Sequence, residues 1–272
     1  MTTLIRTEWL KMRKYNAFWW VMGLTALSYP GINFIFYQVY SNITTQPNSA
    51  SRLAKMAIGN PYTFPDVWHT VAYFSSWFVF IPAVVVIMFI TNEYSFRTHR
   101  QNIIDGWSRN QFITSKLIDV LLITLMITAL YAGVCFITGM ISQERLIHDT
   151  WSQFYYTGLF AMQTFAQLTL AFLTGFLIRK AFMALAVFLF WFIILENILV
   201  MYLKFNANDI GRFFPFEISD RLVPVPAFLG KLDQAGYDKA VHEIPLYTVY
   251  TIILTFGVWA LCYWMNRRRD LK

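Results

Sequence analysis

Six long apolar runs constrain this chain more than any other feature. They cover about residues 17–40, 67–91, 117–141, 154–178, 181–203 and 246–264. At about 1.5 Å per residue, each is long enough or nearly so to cross a hydrocarbon layer of about 30 Å. The composition agrees, with 57% hydrophobic, 19% aromatic and only 14% charged residues, against about 25% charged in soluble domains. The expected fold is an all-α integral membrane protein with six transmembrane helices, and residues 1–272 read as a single transmembrane domain. Pro30-Gly31 predicts a kink in the first run, and Pro82 lies near the middle of the second.

The polar stretch from Asn92 to Lys116 (92–116) is the only long basic insertion between two such runs. Asp105-Gly106 predicts a helix stop, because glycine accepts the left-handed conformation that other residues resist. Ser108 with Gln111 three residues later forms a capping box, and Trp107 with Phe112 is spaced for a hydrophobic staple. The stretch thus reads as a short helix, a sharp corner and the start of the next span. It is either a rigid elbow that a soluble partner can push, with Arg100 and Arg109 on its basic surface, or a well-capped connection.

Ahead of the first run, residues 1–15 read as an amphipathic interfacial helix, with Ile5, Trp9 and Met12 on one side and Arg6, Lys11, Arg13 and Lys14 around the other. The first run lacks a small-x-small cleavage pattern and reads as a retained span. Residues 204–245 read as an outer segment whose broken apolar pieces, around Phe213–Phe216 and Val223–Pro226, are too short to span and dip back against the bundle.

Charge placement gives orientation. The N-terminus, elbow, Arg179-Lys180 turn and C-terminus hold 14 basic and 4 acidic residues, and the opposite loops 8 basic and 9 acidic. By the positive-inside rule both termini and the elbow are cytoplasmic, in a multi-pass protein of the cell membrane. The net charge of +7 is thereby explained without nucleic acid. Membrane lipid is the expected surrounding partner.

Chemistry is sparse. Gly230-Lys231 lacks the spacing of a phosphate-binding loop, so no nucleotide site is expected in this chain. His69, His99, His148 and His242 lie on separate segments, and Cys135 and Cys262 fall inside apolar runs; neither a metal centre nor a disulfide framework is expected. No nucleophile elbow occurs, so the chain does not read as an enzyme.

Two stripes of small or polar residues, Thr124, Thr128, Ala132, Cys135, Gly139 and Gln163, Gln167, Ala171, Thr174, read as helix-contact seams, the alternative being the lining of a substrate path. Glu196, in the fifth run, is the most expensive residue, since a charge there costs at least about 2.5 kcal/mol unless neutralised, paired or hydrated. It either faces a cavity and touches substrate or a coupling ion, or fixes helix contacts together with Asn197. Asp119, three residues after Lys116, reads as one member of a snorkelling interfacial pair.

This layout resembles the type 2 ABC exporter permeases, in which the ATPase is often a separate chain. The resemblance covers the whole length and touches Glu93, Thr98, Ser108, Arg109 and Lys116 of the elbow. Arg97 departs from the glycine usual before the threonine, and Trp107 from the proline usual before Ser-Arg. The resemblance implies a permease homodimer or heterodimer, each copy coupled through its elbow to an ATP-binding subunit that carries ATP and Mg. It also implies short re-entrant helices in the outer segment. An ion-coupled secondary transporter using Glu196 is the alternative, although no internal repeat supports it. A membrane scaffold without transport is a third.

Overall fold

The computed structural model describes residues 2–44, 59–142, 149–206, 209–231 and 233–268. Among these, regular structure is entirely helical. Helix α1 (Thr2–Lys14) precedes α2 (Asn16–Thr44), which runs unbroken through Pro30-Gly31. Next come α3 (Val67–Ser76), α4 (Phe80–Ser95), the short α5 (Thr98–Ile104), α6 (Arg109–Ser142) and α7 (Tyr155–Ile178). Helix α8 (Ala181–Leu189) continues through a π-type turn, Phe190–Leu195, into α9 (Glu196–Asn206). A 3₁₀ turn at Ile210–Phe213, α10 (Pro215–Asp220) and α11 (Ala227–Gly230) lead to α12 (Gln234–Arg268).

Helix α7 is the hub. It packs against α3, α4, α6, α8, α10 and α12, and its Gln163, Gln167 and Ala171 are all buried, as a contact seam requires. The seam on α6 also turns inward. A Cβ at Gly139 would lie 2.5 Å from the Phe64 ring, so only glycine admits that ring.

Among the described residues, four helices are long and apolar enough to cross a membrane: Arg109–Ser142, Tyr155–Ile178, Ala181–Lys204 and Gln234–Arg268. The pair α3 and α4 makes a fifth if its two parts form one span. Four or five of the expected six spans thus meet the length and composition required, among the described residues. Helix α2 has 29 residues, about 43 Å, but Asn33, Tyr37, Gln38 and other polar residues dilute it.

Two boundaries differ from expectation. The second run is not one helix centred on Pro82, because α3 and α4 meet at 51° across residues 77–79. Pro82 is the third residue of α4, where no intrahelical N–H partner is required, so the proline follows the bend. Hydrogen bonds from Phe78 N to Ser75 O and from Val79 N to Ser76 O turn the corner. The last helix begins at Gln234, not near Leu246, and contains Pro245. Asp233 starts it by accepting the Gly236 N–H at 3.0 Å on its side chain, a cap that satisfies one otherwise unpartnered donor.

One end of the bundle gathers α1, the elbow, the Arg179-Lys180 turn and the end of α12. The Arg179 guanidinium lies 4.8 Å from the Tyr94 ring centroid, and Arg109 Nη1 donates to Arg267 O at 2.8 Å. At the opposite end the Trp68 indole donates to Thr150 O at 2.9 Å. His69 Nε2 donates to Pro224 O at 2.8 Å, joining α3 to the segment before α12.

Candidate functional site: the elbow and its buried charge cluster

The corner forms as the residues require. Gly106 has φ +99°, and Trp107 N donates to Asn102 O at 2.9 Å and Gly106 N to Ile103 O at 3.1 Å, the bond pair of a glycine-terminated helix end. Ser108 N donates to Gln111 Oε1 at 2.7 Å, and Gln111 N to Ser108 Oγ at 3.2 Å, which completes the reciprocal capping box. Arg97, the residue standing in for glycine, adopts φ 57° and ψ 18°. The position is left-handed, which accounts for the glycine preference.

Beneath the corner lies a buried cluster that joins α1, α4 and α6, with Thr98 of α5 bonded to it. Lys116 Nζ donates to Glu8 Oε2 at 2.7 Å, Asp119 Oδ2 at 3.0 Å and Glu93 Oε1 at 3.1 Å. An ammonium has three donors, and each meets a carboxylate. Lys11 Nζ reaches Glu8 Oε1 at 3.0 Å and Glu93 Oε1 at 2.9 Å. Thr98 Oγ1 donates to Glu93 Oε2 at 2.6 Å. Glu8 is 1% exposed and Lys116 2%. Burial opposes ionisation of Glu8, but Lys116 and Lys11 outweigh it and hold its carboxyl below the usual range. Burial pushes the His99 imidazole down, against the opposing effect of its contact with Glu93 O.

This corrects two expectations. Lys116 and Asp119 are not a snorkelling pair but the buried centre of the cluster. Helix α1 buries Glu8 and Met12, whereas Ile5 is 43% and Trp9 37% exposed, because Lys116 draws the Glu8 side of the helix inward. Of the candidate coupling residues, Glu93, Thr98 and Lys116 meet directly, and Ser108 caps the corner above them. Arg109 instead fastens α6 to the last carbonyls of α12, and Asn266 Nδ2 returns a bond to Arg109 O at 2.8 Å. Arg100 is half-buried, with its Nε lacking a partner. The sequence reading missed Glu8 and Lys11 as members of the cluster. The available signal was Glu8 itself, the one acidic residue in an otherwise basic helix, placed one turn before Lys11.

The other candidates lie elsewhere. Both oxygens of Glu196 are engaged: Oε1 accepts the N–H groups of Phe216 at 2.7 Å and Glu217 at 2.8 Å, and Oε2 accepts the Trp191 indole N–H at 2.6 Å. Glu196 thus satisfies the first N–H groups of α10 and ties it to the π-type turn. The coupling-ion reading of this residue finds no support in that arrangement. Gln163 and Gln167 donate to Asp220 Oδ1 at 2.8 Å and 2.6 Å. Asp220 was not singled out in the sequence. It is solvent-accessible through the cavities that it lines.

The sequence model of the family described as ABC-2 family transporter protein matches residues 4–196, a span containing nearly all of α1, the elbow and the whole charge cluster. Among curated proteins, none matches.

Proposed function

The chain belongs to the ABC-2 transporter family, and we propose from that premise that it is the membrane permease subunit of an ATP-driven exporter. It moves a substrate out of the cytoplasm or the inner leaflet, using ATP and Mg held by a separate ATP-binding subunit. It works as a homodimer or heterodimer of permeases in the cell membrane. Both termini and the elbow face the cytoplasm, α2 and the α3–α4 pair complete six crossings, and α10 and α11 are re-entrant. The basic excess at the elbow end supports this orientation.

The observation that carries the reading is the cluster of Glu8, Lys11, Glu93, Lys116 and Asp119. A push on α5 can move the bundle only if α5 is fastened to something stiff: Thr98 of α5 donates to Glu93 at the end of α4, and the cluster ties Glu93 to both α1 and α6. Ile104, 83% exposed, and Phe96, 75% exposed, present apolar side chains at this end, where a soluble partner can cover them. The test is to purify the chain with any bound nucleotide-hydrolysing subunit, reconstitute the complex in vesicles and measure ATP hydrolysis with and without the permease. Stimulated hydrolysis supports the proposal. Absence of any ATPase partner contradicts it.

A further inference from the structure

Two breaks in helical regularity border one cavity on the half of the bundle away from the elbow. One is the 51° bend between α3 and α4, and the other is the π-type turn before Glu196. The cavity has a volume of about 420 Å³, and Tyr73, Trp77, Phe80 and Phe192 supply its aromatic wall. Asp220 is the only carboxylate and the only formally charged residue among those lining it. Trp77 is 46% and Ile193 51% exposed, so the cavity opens toward the outer surface of the bundle. Irregular backbone within a membrane bundle is tolerated where it lines a cavity, and the volume suits a small amphiphile.

The polar groups select the charge of a ligand. Gln163 is 1% exposed and lines the cavity, yet its Oε1 has no partner, and the same holds for Oε1 of buried Gln167. Both amide donors end on Asp220 Oδ1. No hydrogen bond from a described residue reaches Asp220 Oδ2. Arg221 does not neutralise this carboxylate, because its Nε donates to Glu217 at 2.7 Å and its Nη2 lies 3.5 Å from Asp209. A second cavity of about 510 Å³ shares Tyr73, Asp220 and Val223 with the first. Its lysines, Lys204 and Lys239, are matched by acidic Asp209, Glu217 and Glu243.

We propose that the aromatic cavity binds the cationic head of an organic amphiphile, with the positive centre beside Asp220 and Gln163 and the apolar part against Trp77, Phe80 and Phe192. Aromatic faces attract such a centre through their quadrupoles, and the unpartnered Gln163 carbonyl adds an acceptor. As a substrate site this rests on the permease reading; as a binding site it does not.

The test separates the two. The full chain in lipid nanodiscs is titrated with tetraphenylphosphonium and with tetraphenylborate, an anion of nearly the same shape, and binding is read by equilibrium dialysis. Saturable binding of the cation and none of the anion is expected. Asp220→Asn should weaken it by about tenfold or more, as loss of the opposite charge at a bound cation does, and Trp77→Ala by roughly three- to tenfold. Trp77→Ala changes a partly exposed wall residue and serves where Asp220→Asn fails to fold. Discs with and without phosphatidylethanolamine identify the source of the cation. Weaker probe binding in its presence assigns the site to a lipid amine, and equal binding assigns it to a free amphiphile; both agree with a cation site. Equal affinity for the two ions, or unchanged binding in folded Asp220→Asn, would overturn it. Cation binding without ATP-driven transport would leave the site standing and remove the exporter reading.

Discussion

Replacing Lys116 by Met keeps most of the side-chain volume and removes the charge at the centre of the cluster. Three carboxylates, Glu8, Glu93 and Asp119, lose ion pairs of 2.7, 3.1 and 3.0 Å. Only Lys11 remains to face them, and it touches Glu8 and Glu93 alone. Removing one partner of a buried pair costs about 3–5 kcal/mol. At about 1.4 kcal/mol per tenfold, local opening of α1 and α5 should rise by roughly two to three and a half orders of magnitude, up to the limit set by global unfolding. Hydrogen exchange of the purified chain in nanodiscs reads this directly. Protection should fall in 2–14 and 98–104 far more than in the outer half of α12. Adding Glu8→Gln and Asp119→Asn leaves Glu93 paired with Lys11 and should recover much of the loss. Unchanged exchange in α1 and α5, or an equal fall throughout the chain, would refute the clamp.

The corner and the outer segment give further expectations. Ser108→Ala should cost about 0.5–2 kcal/mol of cap energy and lower transport per ATP while leaving association with the ATPase intact, as co-purification and reconstituted transport would report; lost association would contradict this. Arg97→Gly should relieve about 1–2 kcal/mol of left-handed backbone strain and slow exchange at the start of α5, and a faster exchange would count against the strained turn. Glu196→Ala strands the N–H groups of Phe216, Glu217 and the Trp191 indole, at about 1–3 kcal/mol for each donor left buried. The melting temperature should therefore drop while specific activity of the folded fraction holds. Lost transport with an unchanged melting temperature would restore Glu196 as a transport residue.

The elbow was legible because its signals are local. Asp105-Gly106 and the Ser108–Gln111 box act within a few residues, and the structure forms both. The cluster was legible only in part, since Lys116 with Asp119 lies within one turn, while Glu8 joins Lys116 across 108 positions and Lys11 joins Glu93 across 82. No periodicity records such a pairing. The bend at 77–79 was hidden because a proline signals a break at itself, yet Pro82 fits the first turn of α4 without one. Apolar content places the last run at about 246–264, whereas α12 starts twelve residues earlier at the cap that Asp233 provides. Asp220 looked like an ordinary loop carboxylate until α10 folded against α7 and brought it to Gln163 and Gln167.

The central claim is that the exposed face of α5 is where an ATP-binding subunit docks. A photo-crosslinking residue in place of Gln101, which is solvent-exposed on α5, would capture the neighbour in intact membranes, with the same residue at exposed Phe256 on α12 as control. The account predicts one dominant adduct from position 101, containing an ATP-binding subunit, lost when Ile104 is changed to Glu and absent at position 256. Adducts to lipid alone, or the same adduct from both positions, would contradict it.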